Sequence, residues 1–189
     1  TETTALGEVS APQEVILPIA SLNKPGHQEG SIFTDTTISS GGSHTCAILD
    51  DGSVSCWGKP NRGQTGIYGA QFLGSIKSPT LTSSLGTGRT AVAISSGDLH
   101  TCAILDTGSV SCWGKGSEGQ LGRGGTSDQL YPRPTSSLGT GRTAVAISSG
   151  DEHTCAILDN GSVSCWGDGS SGQLGNGGTS DATTPTLTS

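Results

Sequence analysis

Along residues 44–58, HTCAILDDGSVSCWG, apolar and polar side chains alternate in two short runs on either side of a turn. HTCAIL and SVSCWG carry β-branched residues with a period of two, which predicts two strands of a half-buried sheet. Between them Asp50, Asp51 and Gly52 form a three-residue connection ending in glycine. That suits a type I turn followed by a left-handed glycine. The register this loop imposes sets Cys46 opposite Cys56 and Ile48 opposite Val54 on one side, and turns Ala47 and Leu49 to the other. The hairpin returns as HTCAILDTGSVSCWG at 100–114 and HTCAILDNGSVSCWG at 153–167. The same register then sets Cys102 opposite Cys112 and Cys155 opposite Cys165.

The hairpin is the centre of a longer repeat. TSSLGTGRTAVAISSGD occurs at 82–98 and again at 135–151, and GQLG at 119–122 and 172–175. The units run over about 31–84, 85–137 and 138–189, and a repeat of this period means that each unit is one supersecondary module stacked on its neighbours. The first copy diverges: it has GQTG at 63–66, followed by IYGAQFLGSIKSP. Its first strand is expected within IFTDTTIS at 32–39. Residues 1–30 form an N-terminal extension. EVILPIASL at 14–22 reads as a strand, and Pro18 inside it favours an edge position. NKPGHQEG at 23–30 reads as a loop, with His27 standing alone. The third copy stops at TTPTLTS, where PTLTS of the first copy continues into SLGTGRTAVAISSG. The last unit is therefore expected to be one strand short, so that segment 14–22 of one chain could complete the C-terminal unit of another.

Composition supports an all-β reading. Of 189 residues 31 are glycine, 31% are hydrophobic and 13% charged. This suits short strands and turns around a thin, repeated core, not long amphipathic helices. A net charge of −7 leaves no basic stripe to neutralise phosphates, which argues against nucleic acid and anionic membrane surfaces as partners. No run of 18 apolar residues occurs, so no helix-length span is expected. The chain starts at Thr1 and contains no Met. A removed secretory signal, or origin as a piece of a longer chain, would account for that.

All six cysteines lie in the hairpins, two per copy. Facing pairs in that register predict the disulfides Cys46–Cys56, Cys102–Cys112 and Cys155–Cys165, and hence an oxidising compartment. The alternative, zinc, needs a knuckle, and the spacing here, H-x-C-x9-C, supplies none. His44, His100 and His153 each open a strand after a glycine-rich turn, a place for a repeated packing or hydrogen-bonding role, with a ligand or catalytic role as the alternative. Trp57, Trp113 and Trp166 follow the second cysteine and suit the wedge between neighbouring sheets, with a ligand platform as the alternative. GQLG is a tight turn and not a phosphate loop, since no lysine follows it and no helix pattern opens behind it. DGSSGQLGNGGTSD at 168–181 lacks the bidentate glutamate of a calcium loop. No catalytic triad, paired carboxylates or cofactor motif is expected. Asn160-Gly161-Ser162 is an N-glycosylation sequon at a turn tip, a candidate site for a glycan.

The stretch AISSGDLHTCAILDTGSVSCWGKGSEGQLGRG at 93–124 resembles the repeat of the regulator of chromosome condensation family. The resemblance covers about 32–189 and rests on the glycine before xxHT, the AIL-x-x-GSV-x-x-WG hairpin and the GQLG turn. It implies β-propeller blades of four short antiparallel strands, one per repeat, and an incomplete ring in this chain, since the family usually closes seven. The cysteine pairs resemble the secreted bacterial and archaeal branch. The nuclear member's nucleotide exchange and chromatin docking do not carry over to an acidic, three-repeat chain. A secreted member that inhibits β-lactamases shows what the fold can do as an extracellular binder, but transfers no contact residue. The expectation is a non-enzymatic extracellular or cell-surface repeat protein. Its partner would be itself, head to tail by strand exchange into a filament or ring, or another extracellular protein; the first alternative is a secreted protein-binding or inhibitor propeller of which this chain is a part. Carbohydrate binding or chemistry in the loops 59–78 and 115–134 is the remaining alternative.

Overall fold

The computed structural model describes residues 38–189. Twelve strands fall into three four-stranded antiparallel sheets. Blade one holds β1 (Ile38–Ser40), β2 (His44–Ile48), β3 (Val54–Gly58) and β4 (Ile76–Leu81). Blade two holds β5 (Ala91–Ser96), β6 (His100–Leu105), β7 (Val110–Gly114) and β8 (Gln129–Pro134). Blade three holds β9 (Ala144–Ser149), β10 (His153–Leu158), β11 (Val163–Gly167) and β12 (Ala182–Leu187). Within each blade the strands pair in chain order, so every connection is local. The row of propeller blades is not closed.

The central hairpins have the register that the turn demands: Cys46 pairs with Cys56 and Ile48 with Val54, and both other copies repeat this. The Gly52 amide donates to the Leu49 carbonyl and the Leu49 amide to the Ser53 carbonyl, both at 2.8 Å. Gly52, Gly108 and Gly161 sit at φ of 78°, 74° and 82°. Only glycine takes that left-handed conformation freely, which fixes it as the last loop residue. Disulfides join Cys46 to Cys56, Cys102 to Cys112 and Cys155 to Cys165, each across a Cα separation of 4.1 Å.

The fourth strands carry the prolines: Pro79 in β4, Pro132 and Pro134 in β8, Pro185 in β12. Each pairs on one side only, where a missing N–H costs no ladder bond. The first strands β1, β5 and β9 lie side by side; the Ser96 and Ser149 amides donate to the hydroxyls of Ser39 and Ser95 (2.9 Å each) in the preceding blade.

Blade three corrects one expectation. It has all four strands, β12 being supplied by ATTPTL near the C-terminus. In the first copy, the strand that follows PTLTS is β5, which pairs with β6 and so belongs to the next blade. The proposed donor segment 14–22 and residues 32–37 of the expected first strand lie outside the described residues. Of 32–39, Ile38 and Ser39 fall in β1.

The core lies between blades. Strand alternation gives each blade two faces. The trailing face of blade one (Cys46, Ile48, Val54, Cys56) packs against Ala91, Ile94, Ala103 and Trp113 of blade two. The corresponding face of blade two (Cys102, Ile104, Val110, Cys112) packs against Ala144, Ala156, Leu158 and Trp166 of blade three. Each disulfide in these two junctions is thus covered by the leading face of the following blade.

Candidate functional site: the blade junctions and the two end faces

Four polar groups meet in each junction. The Trp113 indole N–H donates to the Gln64 main-chain carbonyl (3.0 Å), and the Thr101 hydroxyl donates to the same oxygen (2.9 Å). His44 Nε2 lies 2.7 Å from that hydroxyl. A hydroxyl has one proton, and Thr101 commits it to the carbonyl. The histidine must therefore be the donor, which fixes the Nε2–H tautomer. The second junction repeats the arrangement: Trp166 and Thr154 donate to the Gln120 carbonyl (2.9 and 3.1 Å), and His100 Nε2 sits 2.9 Å from Thr154.

Local sequence builds each part. In GQTG and GQLG, the Gly66 amide closes on Gly63 and the Gly122 amide on Gly119, each at 2.8 Å. The glutamine side chain braces its own turn, Gln64 Oε1 accepting from the Arg62 amide (2.8 Å) and Gln120 Oε1 from the Glu118 amide (2.9 Å). This leaves the main-chain carbonyl for the next blade. A Cβ on Gly66 or Gly122 would come within 2.9 or 2.8 Å of the tryptophan Nε1, so the last glycine of each turn makes room for the indole. On the histidine side, the Gly41 and Gly97 amides donate to the carbonyls of His44 and His100 (2.8 and 2.9 Å), folding the imidazole over the glycine. A Cβ on Gly97 would stand 2.3 Å from the His100 ring and from the Gly150 carbonyl.

Both histidines are neutral. Burial lowers His44 to about 4, and burial, aided by the neighbouring His44, His153 and Lys115, lowers His100 to about 3. Nδ1 of each has no partner, so a second proton would gain no acceptor. The rings are structural donors.

Sequence reasoning singled out the histidines, tryptophans and cysteines. It missed the Thr after each His and the Gln carbonyl of each GQ turn as the groups that join them. The signal was available, because HT and GQ recur in all three copies at fixed places.

Among the described residues, the same groups at the two ends of the row have no neighbouring blade. His153 and Gln173 border an open cleft of about 650 Å³, together with Asp151, Glu152 and Asp168. Ile157 is 44% exposed, whereas its equivalents Ile48 and Ile104 are 8% and 2% exposed. On the leading face of blade one, Leu49 is 40% exposed, against 4% and 1% for Leu105 and Leu158. Trp57 and Thr45 are half-buried, whereas Trp113, Trp166, Thr101 and Thr154 are fully buried.

A second surface lies on the rim. The divergent loop of blade one places Tyr68 edge-on to Tyr131 of blade two, ring centres 5.7 Å apart, and Arg133 stacks 4.7 Å above Tyr131. Phe72, in the same divergent loop, is almost fully exposed. Asn160, at the tip of the third hairpin, is exposed, and its Oδ1 accepts from the amide and hydroxyl of Ser162 (3.1 and 2.7 Å).

The fold has solved counterparts. Prp20p from Saccharomyces cerevisiae superimposes with a TM-score of 0.72 at 21% identity, covering 80% of this chain and 37% of that one. Human WBSCR16 gives 0.70 at 22% identity, over 82% and 42%. Among curated proteins, the E3 ubiquitin-protein ligase HERC2 of Homo sapiens is 36% identical over 149 residues, and the probable E3 ubiquitin-protein ligase HERC4 of Homo sapiens 33% over 155. Each covers 78% of this chain, which spans 3% and 14% of their lengths. The family profile described as the regulator of chromosome condensation (RCC1) repeat matches residues 107–157, and a second profile of that description matches 36–64, 91–120 and 144–173, one per blade. The chain belongs to the regulator of chromosome condensation (RCC1) repeat family.

Proposed function

We propose that this chain is a non-enzymatic, protein-binding blade module that works outside the reducing cytosol, in an extracellular or cell-surface setting. One observation carries the reading: apolar side chains buried in the two internal junctions have exposed counterparts on the end faces, Leu49 and Ile157, beside half-buried Trp57 and His153, where a protein surface would bury them. Exposed apolar side chains flanked by hydrogen-bonding groups are the mark of an interaction surface. Three disulfides suit an oxidising compartment. The yeast counterpart is described as binding Gsp1p and histones, which illustrates protein binding by this fold. The test is photocrosslinking in the cells that make the protein, with a photoreactive residue at position 157 or 49. Proteins crosslinked at these positions support the reading; crosslinks to glycans alone would defeat it.

A second reading puts a protein partner on the rim, where Tyr68, Tyr131 and Arg133 form an aromatic, cationic groove. Tyr68→Ala would then lose the partner without changing the end faces. The Asn160 sequon belongs to the extracellular proposal: a glycan there would appear as a mass that peptide-N-glycosidase removes.

A further inference from the structure

The two end faces are the two halves of one joint. Inside the chain that joint is made twice. Each time the leading half brings a Thr hydroxyl and a Trp indole, and the trailing half brings a His Nε2–H and a Gln carbonyl. The unused leading half is on blade one, where Thr45 pairs with Trp57 as Thr101 does with Trp113 and Thr154 with Trp166. The unused trailing half is on blade three. There the Gly150 amide closes on the His153 carbonyl (3.0 Å), and Gln173 Oε1 accepts from the Ser171 amide (2.8 Å), as in the other two blades.

We propose that a second copy of this chain seats its blade one on blade three of the first and remakes the internal joint. The Trp57 indole of the second copy donates to the Gln173 carbonyl of the first. The Thr45 hydroxyl donates to that same oxygen and accepts from His153. Leu49 and Ile38 of the second copy cover the exposed end-face apolar groups around Ile157. This rests on the reading of the end faces as protein-binding surfaces and names their partner. Residues 1–37 are a weaker occupant of the trailing face, because they contain no tryptophan to supply the indole donor. Charge also permits the joint. Lys115 and Glu152 pair across the second junction, and their counterparts here are Asp168 and the uncharged Ser43, so no like charges meet at that position. The contact joins unlike faces, so copies add until a ring closes or a filament grows.

Sedimentation of the full chain over a concentration series tests the joint. The expected result is a mass rising in whole multiples of one chain. Leu49→Lys and Ile157→Asp each lie on an end face and are exposed in the single chain, so both variants should fold, with melting curves close to wild type. Each alone should associate at least tenfold more weakly. Mixed, they should form a discrete pair, because each retains the half that the other has lost. A wild-type chain that stays at one chain mass, or variants that associate unchanged, would overturn the proposal. If the chain stays single while position 157 still crosslinks to a different protein, the protein-binding reading stands and self-joining falls.

Discussion

A single hydroxyl proton organises each junction. Thr101 gives it to the Gln64 carbonyl, so His44 must carry its own proton on Nε2. This makes the fold acid-sensitive at known places. The folded values of about 4 for His44 and about 3 for His100 lie below the ordinary 6.5, so the unfolded chain takes up protons first as pH falls. The stability contributed by the neutral rings is complete above about 6.5 and is lost as pH drops through about 4 and then 3. Thermal melts across that range should show a falling midpoint, with little change between pH 7 and 8 from these groups. Trp166→Ala should cost about 3–5 kcal/mol in urea unfolding, since it empties a packed site and strips the Gln120 carbonyl of a donor. Trp57→Ala should cost less in the dilute chain, where its ring is only half-buried.

At the scale of the hairpin, the turn does most of the specifying. A three-residue loop with a left-handed glycine admits one register, and that register brings the cysteines face to face. Replacing both Cys102 and Cys112 by serine should cost about 2–3 kcal/mol, as expected for a short closed loop. The three bridges should not reduce at the same rate. Cys46 and Cys102 are sealed by the following blade, whereas Cys155 is half-buried on an uncovered face. Exchange depends on access to sulfur, so graded reduction followed by alkylation and mass spectrometry should label Cys155 and Cys165 first. The hairpin register was legible in the sequence because it depends on neighbours in the chain. The completeness of blade three was not, because the repeat shows where the pattern recurs but not which sheet a strand joins. The third copy stops before a counterpart of SLGTGRTAVAISSG, but the strand in that segment belongs to the following blade, so its absence leaves blade three whole.

Across the three blades, stability is a chain of nearest-neighbour joints. Blade two is covered on both faces, and each end blade has one face open. Hydrogen exchange in dilute solution should therefore find the strongest amide protection in β6 and β7, with faster opening in β2 and β3 and in β10 and β11. The sequence by itself determined the hairpin strands, their register, the cysteine pairs and the three-fold repetition, because short-range alternation and turn stereochemistry decide all of these. Only the tertiary structure decided that Thr, His, Trp and a Gln carbonyl act as one unit, because those groups lie far apart in the chain and in different blades. It alone also decided which faces remain open, since whether a side chain is buried depends on what packs against it and not on its place in the repeat.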